Sequence, residues 1–459
     1  MKPSILLAAA LSAAPFSFAP SSLPAAAPSV CAQCVKANME KLAGDELRGR
    51  GCGIEDEHVA ARFVAETLKR YRIAPGVDVV SYLMPVNLQT PVAAAPPALT
   101  VTTGAGAVTL TQGKDIIAVE PPQAWTGPLT VISDARAAGD VKGKAVVYDS
   151  PIWDPPGVQL LLRAGAAAVI TTANDQILAR WDQLADRSPG RTQIVGVERR
   201  AGQRPGVTIF AKAEAMAALR HLGPGDARLD APLGAPRERT TYAVLGVLHG
   251  TAPDADRHAV LLSAHYDHLG VRNGVIFHGA NDDASGTAAV LEFARILGSG
   301  AKPRRTVYFG LFGCEEEGEL AAQGFMAHPP MAFSDLAANL EFEMIGVDDP
   351  KHPGFLMMTG WDRTNLGPTL AAHGARIVPD PYPEQNFFQR SDNYQLAVKG
   401  VVAQTISAWP IPPTYHDATD DLAHVDLKLM DQVIGSMVEP VKWLVNSDFQ
   451  PAWNPGMKP

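Results

Sequence analysis

Four cysteines in 459 residues are too few for a disulfide-stapled scaffold. Charge is sparse as well. Charged residues make up 19%, and 39 Lys and Arg against 48 Asp and Glu leave a net charge of −9. Lacking a basic excess, the chain has no electrostatic footprint for nucleic acid or for an anionic membrane surface. No apolar run reaches the ~20 residues that a membrane helix requires. There is no Gly-x-Ser-x-Gly elbow to expose a nucleophilic serine, and no internal repeat. What is abundant is apolar residues, at 46%, together with 40 Gly and 38 Pro. That composition describes a loop-rich globular chain with a large core, on the scale of several structural units.

At the start, Lys2 precedes an apolar run over residues 5–18, and small residues follow at 25–27. This reads as a secretory signal peptide over residues 1–28, with no membrane span once it is removed. Pro28-Ser29-Val30 before Cys31 is the wrong run for lipoprotein cleavage. The expected location is secreted or periplasmic. An oxidising destination permits disulfides among Cys31, Cys34, Cys52 and Cys314, with Cys34–Cys52 and Cys31–Cys34 both open. Cys31-Ala32-Gln33-Cys34 has CxxC spacing, but no second CxxC completes a zinc ribbon and no thioredoxin-like strand precedes it.

Residues 55–72 carry Val59, Phe63, Leu68 and Tyr71 at helical spacing. Residues 79–83 look like a strand, and the Pro/Ala-rich stretch 85–97 like a linker. Between 99 and 233, short apolar runs at 129–132, 145–148, 167–171 and 206–210 alternate with Gly and Pro turns. From residue 242 onward strands and helices alternate, at 259–264, 287–297 and 306–312. This pattern predicts an α/β fold with a mixed sheet and helices on both faces.

Polar clusters stand at the ends of those elements, where an open α/β sheet places its ligands. The strand ending in Ser263-Ala264 runs into His265-Tyr266-Asp267-His268. Gly279-Ala280-Asn281-Asp282-Asp283-Ala284-Ser285-Gly286 leads into a helix, and either Asp283 or Ser285 could cap it. A third strand ends in Gly313-Cys314-Glu315-Glu316-Glu317-Gly318, whose adjacent carboxylates repel unless a cation offsets them. Asn339-Leu340-Glu341-Phe342-Glu343-Met344-Ile345-Gly346 alternates with two carboxylates on one face, and Tyr415-His416-Asp417 lies in a Pro-rich loop. Each cluster alone reads as surface polarity. Together they supply imidazoles and carboxylates without a thiolate framework, a donor set that suits zinc.

In this order the motifs resemble the co-catalytic two-zinc exopeptidases, a family holding secreted aminopeptidases and the glutamate carboxypeptidase II group. The resemblance covers roughly residues 240–430. Residues 45–75, notably Leu47-Arg48-Gly49-Arg50-Gly51, are similar to that family's N-terminal helix. Val141-Lys142-Gly143-Lys144-Ala145-Val146-Val147 and Ala164-Gly165-Ala166-Ala167-Ala168-Val169-Ile170 resemble a protease-associated domain. The resemblance implies a zinc peptidase domain at 36–91 plus 237–447, interrupted by a smaller β-rich insert at 92–236. It further implies two Zn2+ ions bridged by Asp282, one completed by His265 and Glu343, the other by Glu316 and His416. Glu315 would be the general base, Asp267 would orient His265, and Tyr415 matches a tyrosine that stabilises the tetrahedral intermediate in some relatives. Glu317 is expected to be solvated.

Three departures from the family pattern are visible. Glu343 stands where the family usually has Asp, with Glu341 a competing assignment. Glu319-Leu320-Ala321-Ala322 replaces the usual Gly-Ser after Glu-Glu-x-Gly-Leu. Ser391-Asp392-Asn393 resembles the family's Ser-Asp-His segment with Asn393 in place of His.

The expected activity is removal of N-terminal residues from peptides. The alternatives are a dipeptidase or carboxypeptidase, for which Arg390 beside Ser391 is the relevant feature, and a receptor-like protein that kept the fold without catalysis. A single-zinc glutaminyl cyclase shares the fold, but His265 favours the two-metal branch. Peptides are the expected partners; the sequence does not reveal an oligomeric state.

Overall fold

The computed structural model describes residues 29–104, 106–119, 124–185, 190–197, 206–222 and 225–459. The signal peptide expected at 1–28 lies outside these residues. A ten-stranded mixed sheet organises the chain. At its centre Val307–Phe312, Ala259–His265, Leu336–Phe342 and Ala403–Ser407 run parallel in that spatial order. Arg237–Leu248 and Leu83–Thr90 extend it antiparallel on one side. Leu356–Met358 and Ile377–Pro379 extend it on the other.

Central parallel strands are covered on both faces and must be apolar throughout. Ala259–His265 is buried at all seven positions, and its sequence is apolar except for Ser263 and the terminal His265. On one face pack Ala32–Leu42, Glu55–Arg70, Gly286–Ser299 and Leu427–Asn446, joined with the sheet in one core through Met39, Val64, Phe293 and Met437. On the other face lie Leu320–Ala327 and Asn393–Lys399, through Phe325 and Leu396. The expected α/β class with helices on both faces is observed. Asp426 accepts hydrogen bonds from the Lys428 and Leu429 amides and so starts the twenty-residue terminal helix. Among the described residues, no helix is long and apolar enough to cross a membrane.

A second, eight-stranded sheet is built between Ala98 and Asp230, in the order Gly106–Thr111, Ala98–Thr103, Gly225–Asp230, Ala124–Ile132, Ala145–Tyr148, Ala168–Thr172, Val207–Ala211, Ile116–Val119. It has its own core around Leu99, Val147, Ile170 and Ile209.

Three local readings are corrected. The strand expected at 79–83 begins at Leu83 and continues to Thr90, through what read as linker. Pro85 is tolerated there opposite Tyr242, although proline cannot donate to a ladder. The Leu47–Gly51 segment is no helix beyond Leu47; Arg48, Gly49 and Arg50 all take positive φ in a tight turn. Cys31 pairs with Cys34, but Cys52 pairs with Cys314 rather than Cys34, across 262 residues of sequence.

Candidate active site and metal centre

The parallel strands deliver their polar ends to one edge of the sheet. His265 is the last residue of its strand, Glu315 and Glu316 follow Phe312, Glu343 follows Phe342, and His416 lies in the loop beyond Ser407. Asp282 sits in the turn Ala280–Ser285 that leads into Gly286–Ser299. Three non-glycine residues beside these groups, Cys314, Met344 and His416, adopt φ of 52°, 53° and 54°. Left-handed backbone at such residues costs about 1–3 kcal/mol each and persists only where the surroundings hold it. At Cys314 and Met344 it reverses the chain just after the strands that end at Phe312 and Phe342, turning the following glutamates inward.

The site residues converge on Asp282. His265 Nε2 lies 3.2 Å from Asp282 Oδ1, and His416 Nε2 lies 3.3 Å from Asp282 Oδ2 and 3.0 Å from Glu316 Oε2. His265, Asp282 and Glu343 form one group able to hold a metal ion; His268, Asp282 and Glu316 form a second. Glu315 Oε2 stands 4.0 Å from His265 Nε2. Asp267 Oδ1 is 3.4 Å from His265 Nδ1. Asp267 also accepts the Glu315 and Glu316 amides, at 2.9 and 3.3 Å, so it fixes the backbone of both glutamates. Tyr415 stacks on His416 with ring centroids 3.9 Å apart. Glu341, one step back along its strand, is fully buried but belongs to neither group.

Electrostatics match the geometry. Burial would lower the pKa of His416, yet Asp282 and Glu316 outweigh it and push it up to about 9. His265 likewise rises well above its ordinary value, because Glu315, Asp267 and Asp282 prevail over burial. Burial would raise Asp282, but His265, His416 and His268 hold it well below the usual carboxylate range. Glu315 is raised well above its ordinary value, by burial and then by Glu316, Glu343 and Asp392, with His265 opposing. A site so rich in buried carboxylates attracts positive charge. Both ring nitrogens of His265 and His268, and Oε1 of Glu316, are buried without hydrogen-bond partners. Orphaned imidazoles and carboxylates converging on common points fit two zinc ions.

Much of the frame around these groups escaped the sequence. Arg50, fully buried, donates to the carbonyls of Tyr266 (2.6 Å), His278 (2.7 Å), Gly279 (2.9 Å) and Leu42. Glu57 accepts from Gly53 N, Thr241 Oγ1 and Cys314 N. Asp420 receives the amides of Asn281 and Asp282, at 2.8 and 3.0 Å. Of the two candidate caps, Asp283 binds the Gly286 amide at 2.8 Å, whereas Ser285 donates to Asn281 O. Asp283 also receives the amides of His265 and Met344, linking two strand ends. Arg50 lay inside a motif already singled out; Glu57 carried no signal, being one more charge on an amphipathic helix. Glu317 is not merely solvated. It takes a two-point ion pair from Arg239, at 2.6 and 3.0 Å, and a hydrogen bond from Thr192.

A family model described as Peptidase family M28 matches residues 243–439. Over these residues the chain is similar to that family. The matched segment contains His265, Asp267, His268, Asp282, Glu315, Glu316, Glu341, Glu343 and His416. A probable lipoprotein aminopeptidase of Mycobacterium tuberculosis is 23% identical over 356 residues, 67% of this chain and 65% of that protein. A vacuolar membrane protease of Clavispora lusitaniae is 37% identical over 205 residues, 43% of this chain and 18% of that protein. The chain thus spans less than two-thirds of the length of these relatives. Among solved structures, an aminopeptidase from Aneurinibacillus sp. strain AM-1 superposes with a TM-score of 0.58 at 19% identity, covering 92% of this chain and 95% of that one. A zinc aminopeptidase from Bacillus subtilis gives 0.54 at 19%, covering 92% and 97%. At these identities the likeness is one of fold.

Proposed function

We propose that this protein is a zinc-dependent exopeptidase, specifically a secreted or periplasmic aminopeptidase that hydrolyses the first peptide bond of its substrates. The observation that carries this reading is the convergence of His265, Glu343, Glu316 and His416 on the two oxygens of Asp282. Asp282 would bridge two zinc ions, with His265 and Glu343 on one and Glu316 and His416 on the other. Bound there, zinc supplies Lewis acidity that acidifies a water and polarises the scissile carbonyl. Glu315 would take a proton from the attacking water and return it to the departing amine. Asp267 faces His265 Nδ1 at 3.4 Å and, through two amides, holds the backbone of Glu315 and Glu316. Tyr415, whose hydroxyl is kept protonated by burial and by Asp282, can donate a hydrogen bond toward the developing oxyanion.

Beside this centre is a cavity of about 40 Å³ lined by Glu343, Met357, Phe387, Arg390 and Tyr415, sized for part of a side chain. A cleft of about 860 Å³ opens on its other side, between His416 and Asp417 and the Arg180–Gln183 and Arg272–Phe277 segments. We read the eight-stranded unit as the insert at 92–236, with Arg180–Gln183 as its contribution to the wall where the rest of the peptide lies. Arg390 in the small cavity supports a second reading, a dipeptidase or carboxypeptidase that uses it to hold a substrate carboxylate.

Three substrates separate the readings: a free-amine aminoacyl anilide, its N-acetylated form, and a C-terminally blocked peptide. Cleavage of the first and third but not the second is expected. Hydrolysis that survives N-acetylation and needs a free C-terminus would establish the second reading instead. Incubation with a strong chelator should abolish turnover and zinc should restore it, since the imidazole and carboxylate donors release the ion at equilibrium.

A further inference from the structure

The assignment above gives the second ion three donors: Asp282, Glu316 and His416. His268 is left over, although it stands in the same group as Asp282 and Glu316. We infer that His268 is a third imidazole of the metal centre and ligates, through Nδ1, the ion held by Glu316 and His416. This rests on the two-ion reading.

His268 Nδ1 lies 2.8 Å from Glu316 Oε1 and 4.0 Å from Asp282 Oδ2. A contact of 2.8 Å would ordinarily be a hydrogen bond. Here the ring is not aligned for one, and both Nδ1 and Glu316 Oε1 remain without a partner in a fully buried setting. His265 shows the same signature: its Nε2 is 3.2 Å from Asp282 Oδ1, buried and unpaired. In both cases nitrogen and oxygen are close because they converge on a common point, rather than because they face each other. Leaving a buried imidazole and a buried carboxylate oxygen unsatisfied costs stability, and a shared cation removes both penalties.

The ring cannot swing away to find another partner. Its backbone is tied by the amide of His268 donating to Arg50 O at 3.3 Å and by a bridge to Gly51. On its other side Gly279, at φ +60°, packs so closely that an added Cβ would stand 2.3 Å from His268 Cγ. His416 approaches from the opposite side, with ring centroids 5.9 Å apart at 72°. The His268 side chain is 0% exposed and the His416 side chain 37%. His268 is therefore the inner donor of the pair, fixed by the fold, while His416 reaches the ion from a loop at the mouth of the cleft.

Metal binding tests this directly. Zinc stoichiometry and affinity are measured by chelator competition on the wild-type chain, on His268→Phe, which fills the space without a nitrogen, and on His268→Gln. Cobalt-substituted samples report the coordination of each ion through their visible absorption. The wild type should hold two ions. Both variants should retain the first ion and bind the second at least ~100-fold more weakly, beyond the 10- to 100-fold typical of a residue that only orients a ligand. The cobalt band of the second ion should change with them. Zinc X-ray absorption of the wild type, which needs no variant to fold, should count three imidazoles for two ions. Two tightly held ions in both variants with an unchanged cobalt band, or a count of two imidazoles, would overturn the inference and leave the two-ion reading standing. A wild type that takes up fewer than two ions would overturn both.

Discussion

Glu315, Glu316 and Glu317 are adjacent and chemically identical, and their surroundings alone separate them. Glu315 faces His265, Glu316 faces His268 and His416, and Glu317 turns outward to Arg239. Glu315→Gln preserves shape but removes the base. It should lower kcat by ~100- to 10,000-fold with KM and zinc content near wild type. Glu316→Gln should instead weaken zinc retention, as measured by metal analysis after dialysis. Glu317→Gln should keep activity within a few-fold, because a partly exposed ion pair contributes little. A dead Glu317 variant beside an active Glu315→Gln would shift the register of the whole assignment. Glu341 gives a second residue-scale prediction. Burial, then Glu343, pushes its pKa up to about 8, above its unfolded value. The native state then binds more protons than the unfolded chain from about pH 4.5 to 8, so stability falls as pH rises across that window. For the metal-free protein, Glu341→Gln should flatten the decline in melting temperature between pH 5 and 8. An equal decline in wild type and variant would show that Glu341 is not the group responsible.

At the scale of elements, the ligand-bearing turns are held by groups far away in sequence. The turn at Arg48–Gly51 inserts Arg50 against the carbonyls that flank both His265 and Asp282. Burial lowers the pKa of Arg50 to about 10, with Asp267, Asp420, Asp283 and Asp282 opposing that shift, so the guanidinium stays charged at neutrality. Arg50→Met removes the guanidinium donor from the carbonyls of Leu42, Tyr266, His278 and Gly279 and should destabilise the fold by about 3 kcal/mol or more. Chemical denaturation would read this, and a loss under about 1 kcal/mol would mean that the carbonyls find other partners. The Cys52–Cys314 disulfide ties the same turn to the residue before Glu315. Replacing both cysteines with Ser should cost about 2–5 kcal/mol, visible as a lower melting temperature under non-reducing conditions. A melting temperature unchanged by that double substitution would exclude a stabilising role for the bridge.

For the molecule as a whole, the two sheets are not simply strung together. Gln193–Ile194, from the stretch between the two halves of the large sheet, pairs with Leu83–Thr90 at that sheet's edge. Thr192 reaches Glu317 and Arg239 beside the active site. Removing residues 92–236 would therefore strip a strand from the peptidase sheet, and point substitutions in the cleft are the cleaner probe. Arg180→Ala and Phe277→Ala should raise KM for a tetra- or pentapeptide several-fold while leaving an aminoacyl anilide unaffected, since only the longer substrate reaches that wall. An unchanged ratio of kcat/KM between the two substrates would exclude the cleft from peptide binding.

The sequence by itself determined the elements and the chemical inventory. Residues 259–264 read as a central strand because they are apolar but for Ser263, and the polar clusters that end each strand announced a site of imidazoles and carboxylates. These are local properties, readable from neighbours along the chain. Only the tertiary structure decided which donors meet. His268 stands one residue from Asp267 and looked like part of the same run, yet the turn pinned by Arg50 and Gly279 carries it into the second metal group. Cys52 was free to choose a partner nearby but pairs with a residue 262 positions away, because the sheet sets its strand end beside the entry turn. Arg50, Glu57 and Asp420 act through backbone groups that sequence patterns do not mark. Their roles arise from satisfying buried carbonyls and amides, a requirement that exists only once the chain has closed around them.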